Sequence, residues 1–196
     1  MQKVAVEFLK RGMIKIGKFK LTSGLESPFY IDLRMLYSHP ELLKIIIDEV
    51  LHRYDMSRYD CIVGIATAGI AFASFLACRL GKPMSYVRIE RKEHGTKGLL
   101  EGEVSNRTCI IVDDVATTGG SIEHAYNIIK EGGGIPLAAL VIIDREQGAQ
   151  QKIEKLGLDF YKLYTALELF SELYESGMIN YNDFKNIIEY LKTFKK

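Results

Sequence analysis

The chain is expected to fold as an α/β protein: an open, mostly parallel sheet flanked by helices, with a small cap built from an N-terminal hairpin and a helical tail. Three observations point there. Short apolar runs ended by glycine or acid, CIVGI (61–65), TCIIVDD (108–114) and LAALVIID (137–144), have the length and composition of strands buried on both faces. Apolar residues at helical spacing lie between them, as in βαβ units. Finally, 196 residues at 47% hydrophobic and 26% charged content suit a single domain, 1–196, with a full core and with 1–36 contributing the cap.

The elements follow in order. Val4 to Lys10 suits a short amphipathic helix. From Met13 to Arg34 the text alternates like a strand pair, IKIGKFKLTSG and SPFYIDLR, turning at Ser23-Gly24. HPELLKIIIDEVLHRY opens with Pro40 in its first turn and keeps a helical period. A strand at 60–65 is followed by the helical GIAFASFLACRLG, ending at Gly81. Met84 to Val87 is a further strand. TCIIVDD leads to a helix from about Ser121 to Glu131, stopped by Gly132-Gly133-Gly134. LAALVIID and Leu158 to Leu163 are the next strands, and from Ala166 the tail reads as two helices separated by Ser176-Gly177.

Composition excludes several classes. A formal net charge of +1 provides no global field for nucleic acid or an acidic membrane. The dispersed Cys61, Cys78 and Cys109 form no CxxC and suit buried thiols in a reducing compartment rather than a disulfide framework or a zinc site. Charges interrupt every apolar run of the first 17 residues, so no signal peptide is expected, and no stretch approaches the roughly 20 apolar residues that span a bilayer. A cytoplasmic protein is expected.

The most informative stretch is IIVDDVATTGGS, Ile110 to Ser121. In a parallel sheet, ligands bind at the carboxyl ends of the strands, which is where Asp113 and Asp114 fall. Ala116-Thr117-Thr118-Gly119-Gly120-Ser121 then connects to a helix. Its glycines let backbone N–H groups turn inward, and the helix start adds partial positive charge, which together suit a phosphate. The stretch has neither the Walker lysine nor GxGxxG spacing. Two acids beside a phosphate seat make sense when the ligand also offers hydroxyls or a developing cation, as a ribose 5-phosphate does.

IIVDDVATTGGS also resembles the phosphoribosyl pyrophosphate (PRPP) signature of the type I phosphoribosyltransferases. FKLTSGLESPFYIDLR, GIATAGIAFASFLACRLGKPMSYVR, RKEHGTKGLLEG and DREQG, in that order from about Phe19 to Gly148, together resemble the orotate phosphoribosyltransferase family. The resemblance implies conversion of orotate and PRPP to orotidine 5′-monophosphate and pyrophosphate, within UMP biosynthesis, through an oxocarbenium-like transition state. It implies Mg2+ carried mainly by PRPP, with no protein metal ligands, and a homodimer in which the loop 88–98 acts on the neighbouring subunit.

Residue by residue, it implies that Asp113 and Asp114 hold the ribose, that Ala116, Thr117, Thr118, Gly119, Gly120 and Ser121 hold the 5-phosphate, and that the Thr67-Ala68 backbone touches the diphosphate. Arg88, Lys92 and His94 would meet the leaving pyrophosphate, where fixed cations stabilise developing charge. His94 could serve as proton donor or as cation only. Arg145 would hold the base's carboxylate with its planar fork, although it could instead be a surface arginine pairing with Asp144 or Glu146. Tyr30, Ile31 and Thr117 would complete the base site, while Phe29 and Tyr30 could equally be core aromatics. Thr22, Ala68 and Ile89 stand where bacterial members of the resembled family commonly carry lysine. Weaker PRPP or pyrophosphate binding is expected unless Lys20, Arg91 or Lys97 compensates. Alternatives are a purine or uracil phosphoribosyltransferase, or a PRPP-binding regulator without turnover. No second domain is expected.

Overall fold

The computed structural model describes residues 3–20, 26–89 and 98–194. The chain begins with helix α1 (Val4–Lys10) and the antiparallel strands β1 (Ile14–Lys20) and β2 (Glu26–Ile31). The expected Ser23-Gly24 turn lies outside the described residues. β2 ends three residues sooner than the alternation suggests. Asp32 accepts the Arg34 N–H at 3.1 Å and caps a 3-10 turn, Leu33–Ser38. Helix α2 (Pro40–Arg53) starts on Pro40, puts Glu41 in its first turn and His52 and Arg53 in its last, and buries Leu42, Leu43, Ile46, Ile47 and Val50.

A six-stranded sheet follows, built from β3 (Cys61–Ile65), β4 (Met84–Val87), β5 (Leu100–Glu101), β6 (Thr108–Ala116), β7 (Ile135–Asp144) and β8 (Asp159–Thr165). Their spatial order is β5-β4-β3-β6-β7-β8, and every pairing is parallel except β4 with β5. The chain moves outward from β3 to β4, then crosses back to place β6 on the other side of β3. The strand order therefore reverses between β3 and β6, where open α/β sheets bind ligands.

Helices α3 (Ala68–Leu80), α4 (Gly120–Glu131) and α5 (Ala149–Lys155) connect the strands, and α6 (Ala166–Glu175) and α7 (Tyr181–Lys192) form the tail. α5 was not legible in the sequence, nor was the two-residue strand β5. A Thr165–Glu168 capping box starts α6.

Strand alternation divides the core. Ile110, Val112, Ala138, Leu140 and Ile142 join Phe72 and Leu76 of α3, α2 and the hairpin–tail unit on one face. Cys109, Ile111, Ala139 and Val141 meet Ile122, Ala125 and Ile129 of α4 and Ile153 of α5 on the other. Each fully buried branched side chain contributes roughly 1.5–3 kcal/mol, so neither face of β6 tolerates a polar replacement between Cys109 and Val112. Cys61 and Cys109 are buried register partners, whereas Cys78, expected buried, is exposed.

The hairpin and the tail pack as one unit. Phe29 lies 4.6 Å from Phe170 and 5.8 Å from Tyr190, centroid to centroid, and the Ala5 N–H donates to Glu172 at 3.1 Å. Among the described residues no helix is long and apolar enough to cross a membrane.

Candidate functional site

Strand register places Thr67-Ala68, Arg88, Asp113-Asp114 and Arg145 at the carboxyl ends of four neighbouring parallel strands. Ile65 pairs with Val87 and Gly64 with Val112, so Ala66-Thr67, Arg88 and Asp113 each follow directly on paired positions. Ala116 pairs with Asp144, and the Arg145 N–H donates to the Ala116 carbonyl at 2.9 Å.

β6 runs two residues past the acids. Asp113 and Asp114 are therefore still held in strand geometry, each half-buried. Asp113 Oδ1 accepts the Asp114 N–H at 2.9 Å and Asp114 Oδ1 the Val115 N–H at 2.8 Å, and no ion pair reaches either among the described residues. Burial pushes both carboxyl groups above their ordinary range, and Asp113 is raised further by the neighbouring Asp114 charge. Gly69 explains how α3 comes so close. A Cβ there would stand 2.6 Å from the Val112 carbonyl oxygen and 3.0 Å from Asp113 Oδ1. Gly64 permits the same approach from β3, where a Cβ would sit 2.9 Å from the Gly69 carbonyl oxygen.

Beyond Ala116, exposed Thr117 and Thr118 lead to Gly119, whose φ of +78 suits glycine and which caps α4. Asp113, Val115, Thr117, Gly120, Ser121 and Ile122 are among the residues around a cavity of about 140 Å3. That is too small for a whole drug-sized ligand but suited to one phosphate group beside the unpaired first-turn N–H groups of α4.

On the other side of β3, exposed Thr67 stands at the N-terminus of α3 without a side-chain capping bond, and Ala68 opens that helix with its carbonyl accepting the Tyr37 hydroxyl at 2.6 Å. Ala66, Thr67, Ile70, Tyr86, Arg88 and Ile89 line a cavity of about 390 Å3. Arg88 lies 3.6 Å from Glu101, its N–H donates to Leu99, and its carbonyl is 3.2 Å from His124 Nε2 on α4. Lys92 and His94 lie outside the described residues, as do Thr22, Arg91 and Lys97.

Arg145 is not a surface arginine. It is 5% exposed, its guanidinium stacks 4.8 Å from the Phe29 ring centre, and its Nη2 donates to Ser27 Oγ at 3.4 Å. Asp144 pairs instead with Lys162 at 3.2 Å. Arg145 has no ion-pair partner among the described residues, and its buried Nε has no acceptor. Burial lowers its pKa from the ordinary guanidinium value. Phe29 is thus both core aromatic and stacking platform, while half-buried Tyr30 lies 5.7 Å from Phe19 and the Ile31 side chain is buried. Sequence reasoning did not find Ser27, Tyr37, Gly69 or His124. Only Gly69 left a signal, as the second glycine of GIATAG.

Residues 33–158 match the phosphoribosyl transferase domain family. The chain is 45% identical to the orotate phosphoribosyltransferase of Sulfurisphaera tokodaii over 91% of its length and 92% of that protein, and 46% identical to that of Saccharolobus solfataricus over 93% of each. The chain belongs to the orotate phosphoribosyltransferase family. Members share its architecture. The crystal structure of orotate phosphoribosyltransferase from Aeropyrum pernix superimposes with a TM-score of 0.78 at 34% identity, covering 90% of this chain and 99% of that one. The structure of Leishmania donovani UMP synthase superimposes with a TM-score of 0.84 at 28% identity over 97% of this chain, which spans 42% of that longer protein.

Proposed function

We propose that the protein transfers the phosphoribosyl group of PRPP to orotate, giving orotidine 5′-monophosphate and pyrophosphate. The observation that carries the substrate choice is a buried arginine without a counter-ion among the described residues, one residue past the register partner of Ala116, beside the acidic loop. A carboxylate on the base would satisfy it. Uracil and the purines bring none.

In this reading the 5-phosphate occupies the Thr117–Ser121 cavity and the ribose hydroxyls donate to Asp113 and Asp114. As the bond to pyrophosphate lengthens, positive charge develops at C1 of the ribose, and the two carboxylates stabilise it. Arg145, the Tyr30-Ile31 backbone and Thr117 orient the ring so that its nitrogen faces C1. The diphosphate lies against Thr67-Ala68 and Arg88, with Lys92 and His94 supplied by the loop 88–98 of the neighbouring subunit in a homodimer. Residues 1–36 cover the site. Among the described residues no three His, Cys, Asp or Glu side chains converge as a ligand set. Mg2+ would arrive on PRPP beside the acid pair, where it would neutralise diphosphate charge. The expected setting is cytoplasmic.

Purified protein with PRPP and Mg2+, offered orotate, uracil, hypoxanthine and adenine separately, tests the reading. Consumption of orotate alone is expected. Consumption of another base would discard the substrate, and PRPP binding without turnover would favour the regulator. For the loop, Lys92→Ala protein mixed with Asp113→Ala/Asp114→Ala protein should regain activity that neither has alone. No recovery despite subunit exchange would exclude action in trans.

A further inference from the structure

We propose that Ser27 is the positioning residue that sets selectivity for a carboxylated base, because one buried hydroxyl fixes both Arg145 and the backbone of β2. The inference rests on the reading of Arg145 given above.

Ser27 is 2% exposed. A hydroxyl has one proton and two lone pairs. The Ser27 proton goes to the Phe29 carbonyl at 2.7 Å, leaving the lone pairs to Arg145 Nη2 at 3.4 Å and the Phe29 N–H at 3.4 Å. Phe29 is the ring on which the Arg145 guanidinium stacks, and the strand continues directly into Tyr30 and Ile31. The two halves of the proposed base site, a side chain after β7 and a backbone edge on β2, are thus joined through this side chain.

The ring beneath the guanidinium is itself held. Phe170 of α6 packs against it, and Tyr190 of α7 meets it edge-on at 87°. Tyr190 in turn accepts from Gln147 Nε2 at 2.9 Å, two residues beyond Arg145. The guanidinium therefore has a floor in Phe29 and one nitrogen anchored by Ser27, while buried Nε has no partner among the described residues. Without the hydroxyl, the long arginine side chain regains rotamers that do not present Nε to a ligand, and each ordering event must then be supplied by the ligand itself.

Calorimetric titration with orotidine 5′-monophosphate and uridine 5′-monophosphate, which differ by the base carboxylate, isolates the effect. Wild-type protein should prefer the former. Ser27→Ala should weaken orotidine 5′-monophosphate roughly tenfold, the scale of one hydrogen bond to a charged group, weaken uridine 5′-monophosphate, which meets only the β2 backbone, by clearly less, and leave PRPP binding unchanged. Ser27→Thr should restore most of the loss. If Ser27→Ala does not fold, Ser27→Cys carries the same comparison, since a thiol is a weak acceptor.

Equal weakening of both nucleotides, or of neither, would overturn the proposal. Failure of the underlying reading looks different. Wild-type and Arg145→Ala proteins would then both bind the two nucleotides alike, and the role of Ser27 would fall with that of Arg145.

Discussion

The ends of β6 and β7 are register neighbours with opposite electrostatic problems. At the end of β6, two partly buried carboxylates stand side by side with no cation among the described residues, and burial pushes both toward protonation. One strand over, a buried guanidinium has no anion among the described residues, and burial lowers its pKa. No ion pair joins the two among the described residues, and the guanidinium stacks on Phe29 instead. Each region lacks what one half of the proposed reaction would bring: hydroxyls and a developing cation at β6, a carboxylate at β7. The stability forgone at both ends is the binding energy available to the ligand.

The largest expected effect comes from removing one side of this contrast. Asp113→Asn/Asp114→Asn should lower kcat/KM about a thousandfold or more, the scale of two lost charge-assisted contacts, while raising the ligand-free Tm. A fall in both activity and Tm would mean that the acids are structural. Next, Arg145→Leu should raise the orotate KM roughly a hundredfold, as when one partner of a buried pair is truncated. It should leave the PRPP KM near wild type, with the ligand-free Tm unchanged or higher. An unchanged orotate KM breaks the comparison at β7.

Gly69→Ala separates the two regions further, because its Cβ would strike the Val112 carbonyl rather than anything near Arg145. The PRPP KM should rise on the order of tenfold, as expected for a misplacement of the acids by a fraction of an ångström, while discrimination between orotate and uracil stays intact.

The smallest effect is pH-dependent. A carboxyl group whose folded pKa lies above its unfolded value binds more protons when folded. Ligand-free stability should therefore fall as pH rises from the ordinary carboxylate value of 3.8 through the raised range of Asp113 and Asp114. Denaturant titrations across that window should show a decline in stability that is absent in Asp113→Asn/Asp114→Asn. Stability rising across the window in wild type but not in the variant would reverse the sign assigned to the pair.

Much of this was legible in the sequence. β3, β6 and β7 show plainly as interior strands because both of their faces are apolar, and α2 because Pro40 and Glu41 mark its start. α5 was hidden because AQQKIEK buries only Ala149 and Ile153, too few to define a period. β5 was hidden because two residues carry no pattern.

The acid pair announced itself by adjacency, since capping a helix needs no second acid. Arg145 could be picked out by resemblance, yet its burial could not be read. Its floor and its anchor come from Phe29 and Ser27, the latter 118 residues earlier. Contacts across such separations leave no mark on local composition, so a buried cation and a surface one look alike in the text.

The brief strand β5 has a consequence for the protein in crowded solution. It covers the outer side of β4 at Tyr86 and Val87, and the chain then turns away at Gly102, whose φ of +95 brings it so close to Ser85 that a Cβ would sit 2.5 Å from the hydroxyl oxygen. A parallel sheet that stopped at β4 would offer a row of open N–H and C=O groups to any passing chain. Here β5 pairs along Tyr86 and Val87 and becomes the edge itself, and an edge only two residues long offers a passing chain far less backbone to add to than a full strand would.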